Sequence, residues 1–168
     1  MAVRAAANWV GATVAIYRAV LVAVMITIAG LIAVSVIARY VFGSPILYSY
    51  ELASLLFVWL VFLSLPGGGA AGVHLAADIL TPYLPDRTLV ALRVVSHALA
   101  VAVLAYIGWY AWILAGRTRV MMPTLGLSLA WMYAAVPIGT LLYIGWIIGD
   151  TLTLLGVLPD PHARKIDA

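Results

Sequence analysis

Six carboxylates and three histidines are all the acid–base chemistry the sequence offers, and it contains no cysteine. Without thiols there is no disulfide, no thiolate metal site and no cysteine nucleophile. Glu51 stands at the door of a long apolar run, while Asp78, Asp86 and Asp150 fall at the ends of such runs rather than in their middles. Ionisable groups at depth are the usual mark of an ion or proton path; here only His97, near the start of its run, lies inside one. His74 and Asp78 are four apart, the spacing of a local hydrogen bond on one helical face, and too few ligands for a metal. His74 and His97 would approach the same end of the molecule, where two facing imidazoles could in principle ligate haem iron. No further histidine occurs before His162, and nothing else supports haem. Gly67, Gly69 and Gly72 spell G-x-G-x-x-G, but a dinucleotide site needs a strand before them and a βαβ unit around them. The match is accidental. Pro66 and these glycines serve better to bend or thin the end of a helix and let a neighbour approach.

The elements that must carry these residues follow from composition. Of 168 residues, 66% are hydrophobic and 9% charged, with a mean hydropathy of +1.15; ordinary soluble domains are about half apolar and roughly a quarter charged. A fold of this size could not hide so much apolar surface from water, so its solvent is lipid. Charge-free runs of 20, 22, 23 and 30 residues lie between Arg18 and Arg39, Glu51 and His74, Arg93 and Arg117 (His97 apart), and Arg119 and Asp150. Each is long enough for the ~20 residues that cross a hydrocarbon core, and backbone groups in lipid must pair internally. The expectation is an all-α membrane protein, a single small membrane domain over residues 1–168, with four transmembrane helices near 19–38, 52–73, 94–116 and 129–150. The first run is longer than a signal core and ends in Arg39-Tyr40, so it is expected to be a retained helix.

Four spans put both termini on one side, with Arg4, Arg18, Arg87, Arg93, Arg164 and Lys165 against Arg39, Arg117 and Arg119 on the other. The excess of basic residues places both termini in the cytoplasm. Leu75, Ile79 and Tyr83 recur at four-residue spacing between the second and third spans, which suggests a short interfacial helix, ended by Pro82 and Pro85, with Asp86 free to cap the third span. Tyr40, Tyr48, Tyr50, Tyr110, Trp112, Trp131 and Tyr133 fall at the outer ends of the spans, as in an aromatic belt or a partner surface. Pro137-Ile138-Gly139 predicts a kink in the last span, and Gly145 and Gly149 have the G-x-x-x-G spacing of close helix packing. The net charge of +3 comes from basic residues scattered singly, which excludes a nucleic-acid surface. No enzymatic constellation and no cofactor site emerges.

Several stretches resemble a known family. Arg39-Tyr40-Val41-Phe42, then Glu51-Leu52-Ala53 leading into Leu56-Phe57-Val58-Trp59-Leu60-Val61-Phe62-Leu63, then His74 and Asp78, then Leu125-Gly126-Leu127, Trp131, Tyr133 and Pro137-Ile138-Gly139 occur in order over nearly the whole chain. The set resembles the small, DctQ-type membrane subunit of tripartite ATP-independent periplasmic (TRAP) transporters, with departures at Tyr48, Tyr50 and Ser54. The resemblance implies an accessory scaffold subunit in a bacterial or archaeal inner membrane, partnered by a large multi-span permease. That permease would carry sodium and an organic acid, delivered by a periplasmic substrate-binding protein, with membrane lipid as the remaining contact. Structural or subunit-interface roles are expected of Arg39, Tyr40, Glu51, Trp59, His74, Asp78, Trp131, Tyr133 and Pro137. The alternative from another class is the membrane anchor of a haem- or quinone-linked redox complex.

Glu51 opens the second span where a helix N-terminus carries partial positive charge. Arg39 closes the first span on the same face, a short loop away. An ion pair pinning the two helix ends together is the specific expectation, with pairing to the large subunit as its alternative; a solvated cap is the plain one.

Overall fold

A computed structural model describes the backbone of residues 2–70 and 86–154, and the side chains of residues 14–68 and 88–154. The expected interfacial helix, with His74 and Asp78, lies outside the described residues. Four helices account for most of the rest: α1 (Ala2–Val41), α2 (Ser49–Ala70), α3 (Asp86–Arg117) and α4 (Ala130–Leu154). All four are long and apolar enough to cross a membrane, over Val14–Val41, Ser49–Gly68, Thr88–Arg117 and Ala130–Leu154. Their many β-branched residues are indifferent helix formers in water, but lipid offers the backbone no other partner.

The helices run past the charge-free segments. Arg18 and Arg93 lie within α1 and α3, and Arg39 in the last turn of α1. A helix does not have to stop where hydrocarbon stops, because its hydrogen bonds continue into the headgroup layer and long basic side chains reach water from there. α1 ends where it must: Gly43 takes φ of 64°, a left-handed conformation that closes a helix at little cost for glycine. Ser44 N–H then donates to the Ala38 carbonyl at 3.1 Å, and Pro45 prevents continuation. α3 begins at Asp86 itself, so that residue stands in the first turn rather than before it.

α4 is the centre. Its interfaces with α3 and α2 are the two most extensive, and α1 packs chiefly on α2. The spatial order is therefore α1, α2, α4, α3. Ala135, Pro137, Gly139, Thr140 and Ile147 of α4 are buried. Two glycines permit the close approach. A Cβ on Gly139 would collide with the backbone carbonyl of Phe62 in α2. A Cβ on Gly108 of α3 would stand 2.7 Å from Thr140 Oγ1. Pro137 lies within the span of α4 and is buried in the same region, one turn before that contact.

Gly145 and Gly149, spaced for tight packing, have open space where a Cβ would be. The close contact of α4 is thus made at Gly139 instead. Gly145 and Gly149 each lie two residues from buried Ile147, about 200° round the helix and on the far side from its packed face. Near Pro66, the sequence suggestion of a close neighbour holds at Gly67, whose Cβ would meet Tyr17 Oη of α1 at 3.3 Å. The Tyr17 hydroxyl donates to the Leu63 carbonyl beside it.

Gly139→Ala should destabilise the chain by about 1–3 kcal/mol, the usual cost of forcing a methyl group into a filled contact. Gly145→Ala should stay within about 0.5 kcal/mol of wild type. Thermal unfolding in detergent distinguishes the two; equal stabilities would show that α2 and α4 do not meet at Gly139.

Candidate functional site

The connection between α3 and α4 is an ordered hairpin. Leu129 N–H donates to the Val120 carbonyl at 2.9 Å and Met122 N–H to the Leu127 carbonyl at 2.8 Å, with Met121 opposite Ser128. Gly126 N–H closes the turn on the Met122 carbonyl at 2.9 Å, and Gly126 takes φ of 67°. Pro123 presets the turn and Met122 is buried beneath it. Ser128 Oγ accepts from the amide of Ala130 at 3.2 Å and so opens α4.

This turn leaves two consecutive amides, those of Thr124 and Leu125, pointing outward from the loop. Successive backbone N–H groups of this kind form a small concavity suited to an anion. The anion is Glu51. Its Oε2 accepts from Thr124 N–H at 3.1 Å and from Leu125 N–H at 3.0 Å, and Oε1 lies 3.3 Å from Thr124 N. Glu51 stands third in α2, where a carboxylate often turns back onto its own helix, yet here it reaches across to a loop 73 residues away. Hydrogen bonds to a charged acceptor are about twice as strong as neutral ones. The carboxylate therefore clasps the start of α2 to the loop that starts α4.

The expected partner of Glu51 was Arg39, and the structure corrects that. Among the described residues the contact within 4 Å between a carboxylate and a basic side chain is that of Asp150 with His97. Arg39 instead lines a groove between α1 and α2 with Tyr40, Ser49 and Tyr50. The end of α1 is held by hydroxyls: Ser35 Oγ lies 2.7 Å from Ser49 Oγ, and Ser49 Oγ donates to the Ile46 carbonyl at 2.7 Å. Since the Ser49 proton is committed to Ile46, Ser35 donates to Ser49.

One turn or two deeper, Trp59 of α2 donates its indole N–H to the Trp131 carbonyl in the first turn of α4 at 3.1 Å. The Trp131 ring itself points outward, 57% exposed, and helps line a shallow hollow of about 370 Å³ with Trp112, Gly116 and Ala134. Tyr40 and Tyr50, at 80% and 81% exposure, also face outward; Tyr133 is half-buried.

At the opposite end, α3 and α4 share a polar contact. His97, 6% exposed, places Nδ1 2.8 Å from Thr151 Oγ1 and Nε2 3.8 Å from Asp150 Oδ2. Thr151 gives its own proton to the Ile147 carbonyl at 2.8 Å, so His97 Nδ1 is the donor to Thr151. One turn away Arg93 Nε is enclosed without a hydrogen-bond partner among the described residues. Both ring nitrogens of His97 thus face α4, an arrangement for joining helices. Among the described residues no group of three or more His, Cys, Asp or Glu is placed to hold a metal.

The family described as tripartite ATP-independent periplasmic transporters, DctQ component, matches residues 28–156. The chain belongs to the DctQ family. A Haemophilus influenzae protein named as a TRAP transporter small permease is similar to it, 27% identical over 108 residues. That match takes in 64% of this DctQ chain and 66% of the relative, so the chain spans just under two thirds of the relative's length.

Of the residues singled out in this DctQ sequence, the structure brings Glu51 and the Leu125-Gly126-Leu127 stretch together, and joins Trp59 to Trp131. Pro137 is buried at the central crossing, while Arg39 and Tyr40 stand apart on the α1–α2 face. Thr124, Ser35, Ser49 and the His97–Asp150–Thr151 contact were not foreseen. The Pro123 and Gly126 turn signals could have flagged a loop with free amides opposite Glu51, the only carboxylate at that end among the described residues.

Glu51→Ala should raise amide hydrogen exchange at Thr124 and Leu125 several-fold, with Arg39→Gln leaving both amides as protected as before. If Arg39→Gln exposes them equally, the clasp runs through the arginine after all. Trp59→Phe, which removes only the indole N–H, should cost about 0.5–1.5 kcal/mol in thermal unfolding.

Proposed function

We propose that this DctQ chain is the accessory, scaffold-forming small subunit of a TRAP transporter. It enlarges the static part of a large multi-span permease and performs no chemistry of its own. The observation that carries this is the combination of a DctQ match over residues 28–156 with four span-capable helices arranged in an open series. The polar side chains buried among the described residues, Ser49, His97 and Thr140, lie at three separate levels of the helices rather than in one cluster. Ser49 and His97 hold helix to helix, and Thr140 bonds carbonyls of its own helix while packing over Gly108. A substrate site built of such isolated, satisfied groups would recognise little.

In this proposal the chain is one membrane domain in a bacterial or archaeal inner membrane, with both termini in the cytoplasm and the hairpin on the outer face. The permease holds the sodium and organic-acid sites, and a periplasmic binding protein delivers the acid. Glu51, Trp59, Trp131 and Pro137 keep the helices in register. Arg39, Tyr40 and Tyr133 belong to the outer surface, and His74 and Asp78 to the connection between the second and third spans. No cofactor takes part.

The test is co-expression with the adjacent large permease followed by purification in mild detergent and reconstitution. The permease should co-purify, and sodium-driven uptake of an organic acid should fall to background when this chain is omitted. Calorimetry of the chain alone with the same acid should give no saturable heat. Stoichiometric binding of acid to the isolated chain would overturn the scaffold role, and a Soret band in the purified protein would move it to a redox complex.

A further inference from the structure

The groove between α1 and α2 has a volume of about 520 Å³ and a mainly apolar wall. On α1 it runs from Ile28 through Ile32 to Arg39, and on α2 from Phe57 up to Tyr50. Twelve residues, separated by eleven rises of 1.5 Å, make the α1 wall about 16 Å long, close to half of a hydrocarbon core of roughly 30 Å. The groove is therefore one leaflet deep. Its apolar end lies towards the middle of the membrane and its cationic end at the level of the hairpin.

Arg39 marks that upper end, and the one carboxylate near it among the described residues is already taken. Glu51 is held by the amides of Thr124 and Leu125 and makes no ion pair with Arg39. Among the described residues the guanidinium thus has no anion beside it, and its planar fork of donors matches a phosphate. Tyr40 and Tyr50 flank it, both four-fifths exposed, in the position where tyrosines meet lipid headgroups. Lower down, the hydroxyls of Ser35 and Ser49 satisfy each other and the Ile46 carbonyl. Ser54 adds one further hydroxyl to the lining, and the rest of the wall below the arginine is apolar and suits hydrocarbon better than water.

We infer that the α1–α2 groove is a binding site for a phospholipid of the leaflet on the hairpin side, its phosphate on Arg39 and an acyl chain along Ile32 and Phe57. The occupant is a lipid rather than a partner helix. An apolar helix laid there would bury the guanidinium without an anion, whereas a phospholipid supplies both the charge and the length.

Native mass spectrometry of the full chain in mild detergent tests this, with phosphatidylglycerol and a diacylglycerol of the same acyl chains as probes. One phosphatidylglycerol should be retained per chain and the diacylglycerol should not. Arg39→Gln should weaken retention about tenfold, as expected for the loss of hydrogen bonds to a charged group, and Arg39→Lys should restore most of it. Ile32→Trp, which fills the groove, should abolish retention with Arg39 intact. Arg119→Gln, a cation of the hairpin outside the groove, should change nothing. Equal retention of the two lipids, or wild-type retention by Arg39→Gln, would overturn the site. So would a photoreactive residue at position 32 that labels protein instead of lipid in native membranes.

Discussion

Helices in hydrocarbon gain nothing by hiding leucine from lipid, since lipid is as apolar as leucine. What holds them together is close fit, and close fit needs places where two backbones can approach. In this chain the decisive place is Gly139, where the backbone of α2 at Phe62 fills the space a side chain would take. One residue further on, Thr140 fills the equivalent space over Gly108 of α3. A single turn of α4 thus receives both of its neighbours, and the positions of the other helices follow from it. α1 is joined to α4 chiefly through α2, by way of the Tyr17 contact at Gly67 and the Ser35–Ser49 contact at the other end.

Close fit fixes distance but does little to stop helices sliding along one another. That task falls to directional contacts near the two ends. At the hairpin end Glu51 and Trp59 tie α2 to the beginning of α4, in both cases by meeting backbone groups. At the other end His97 ties α3 to the last turns of α4 through Thr151 and Asp150. Two of these three ties use backbone partners, whose positions are set by secondary structure and do not depend on a second long side chain holding its rotamer. Such ties lose less side-chain entropy than an ion pair between two flexible residues would.

The four spans were legible because lipid imposes them: a run of some twenty uncharged residues has one stable conformation there. The neighbours were not legible, because helices that are apolar all round mark no face for packing. G-x-x-x-G spacing drew attention to Gly145 and Gly149, yet the contact is at a lone Gly139, defined by what α2 presents opposite it. Glu51 was recognisable as important, but charge complementarity pointed to Arg39 and the true partners are amides. Every residue but proline carries an amide, so no residue type announces one. His97 and Asp150 were within reach of counting, since twenty residues back from Arg117 and twenty forward from Ala130 arrive at this pair.

The order of helices in space has a consequence for how the chain is made. α2 and α4 are neighbours although α3 lies between them in sequence, and α3 has its extensive contacts only with α4. During synthesis the first three helices enter the membrane as a loose α1–α2 pair and an α3 that, among the described residues, has no extensive contact with either. The last helix to leave the ribosome is the one that closes both gaps. A nascent chain is therefore unfinished in a strong sense until Leu154 is in place, and quality-control proteases that sample membrane proteins would find an unattached α3 in any product cut short before α4.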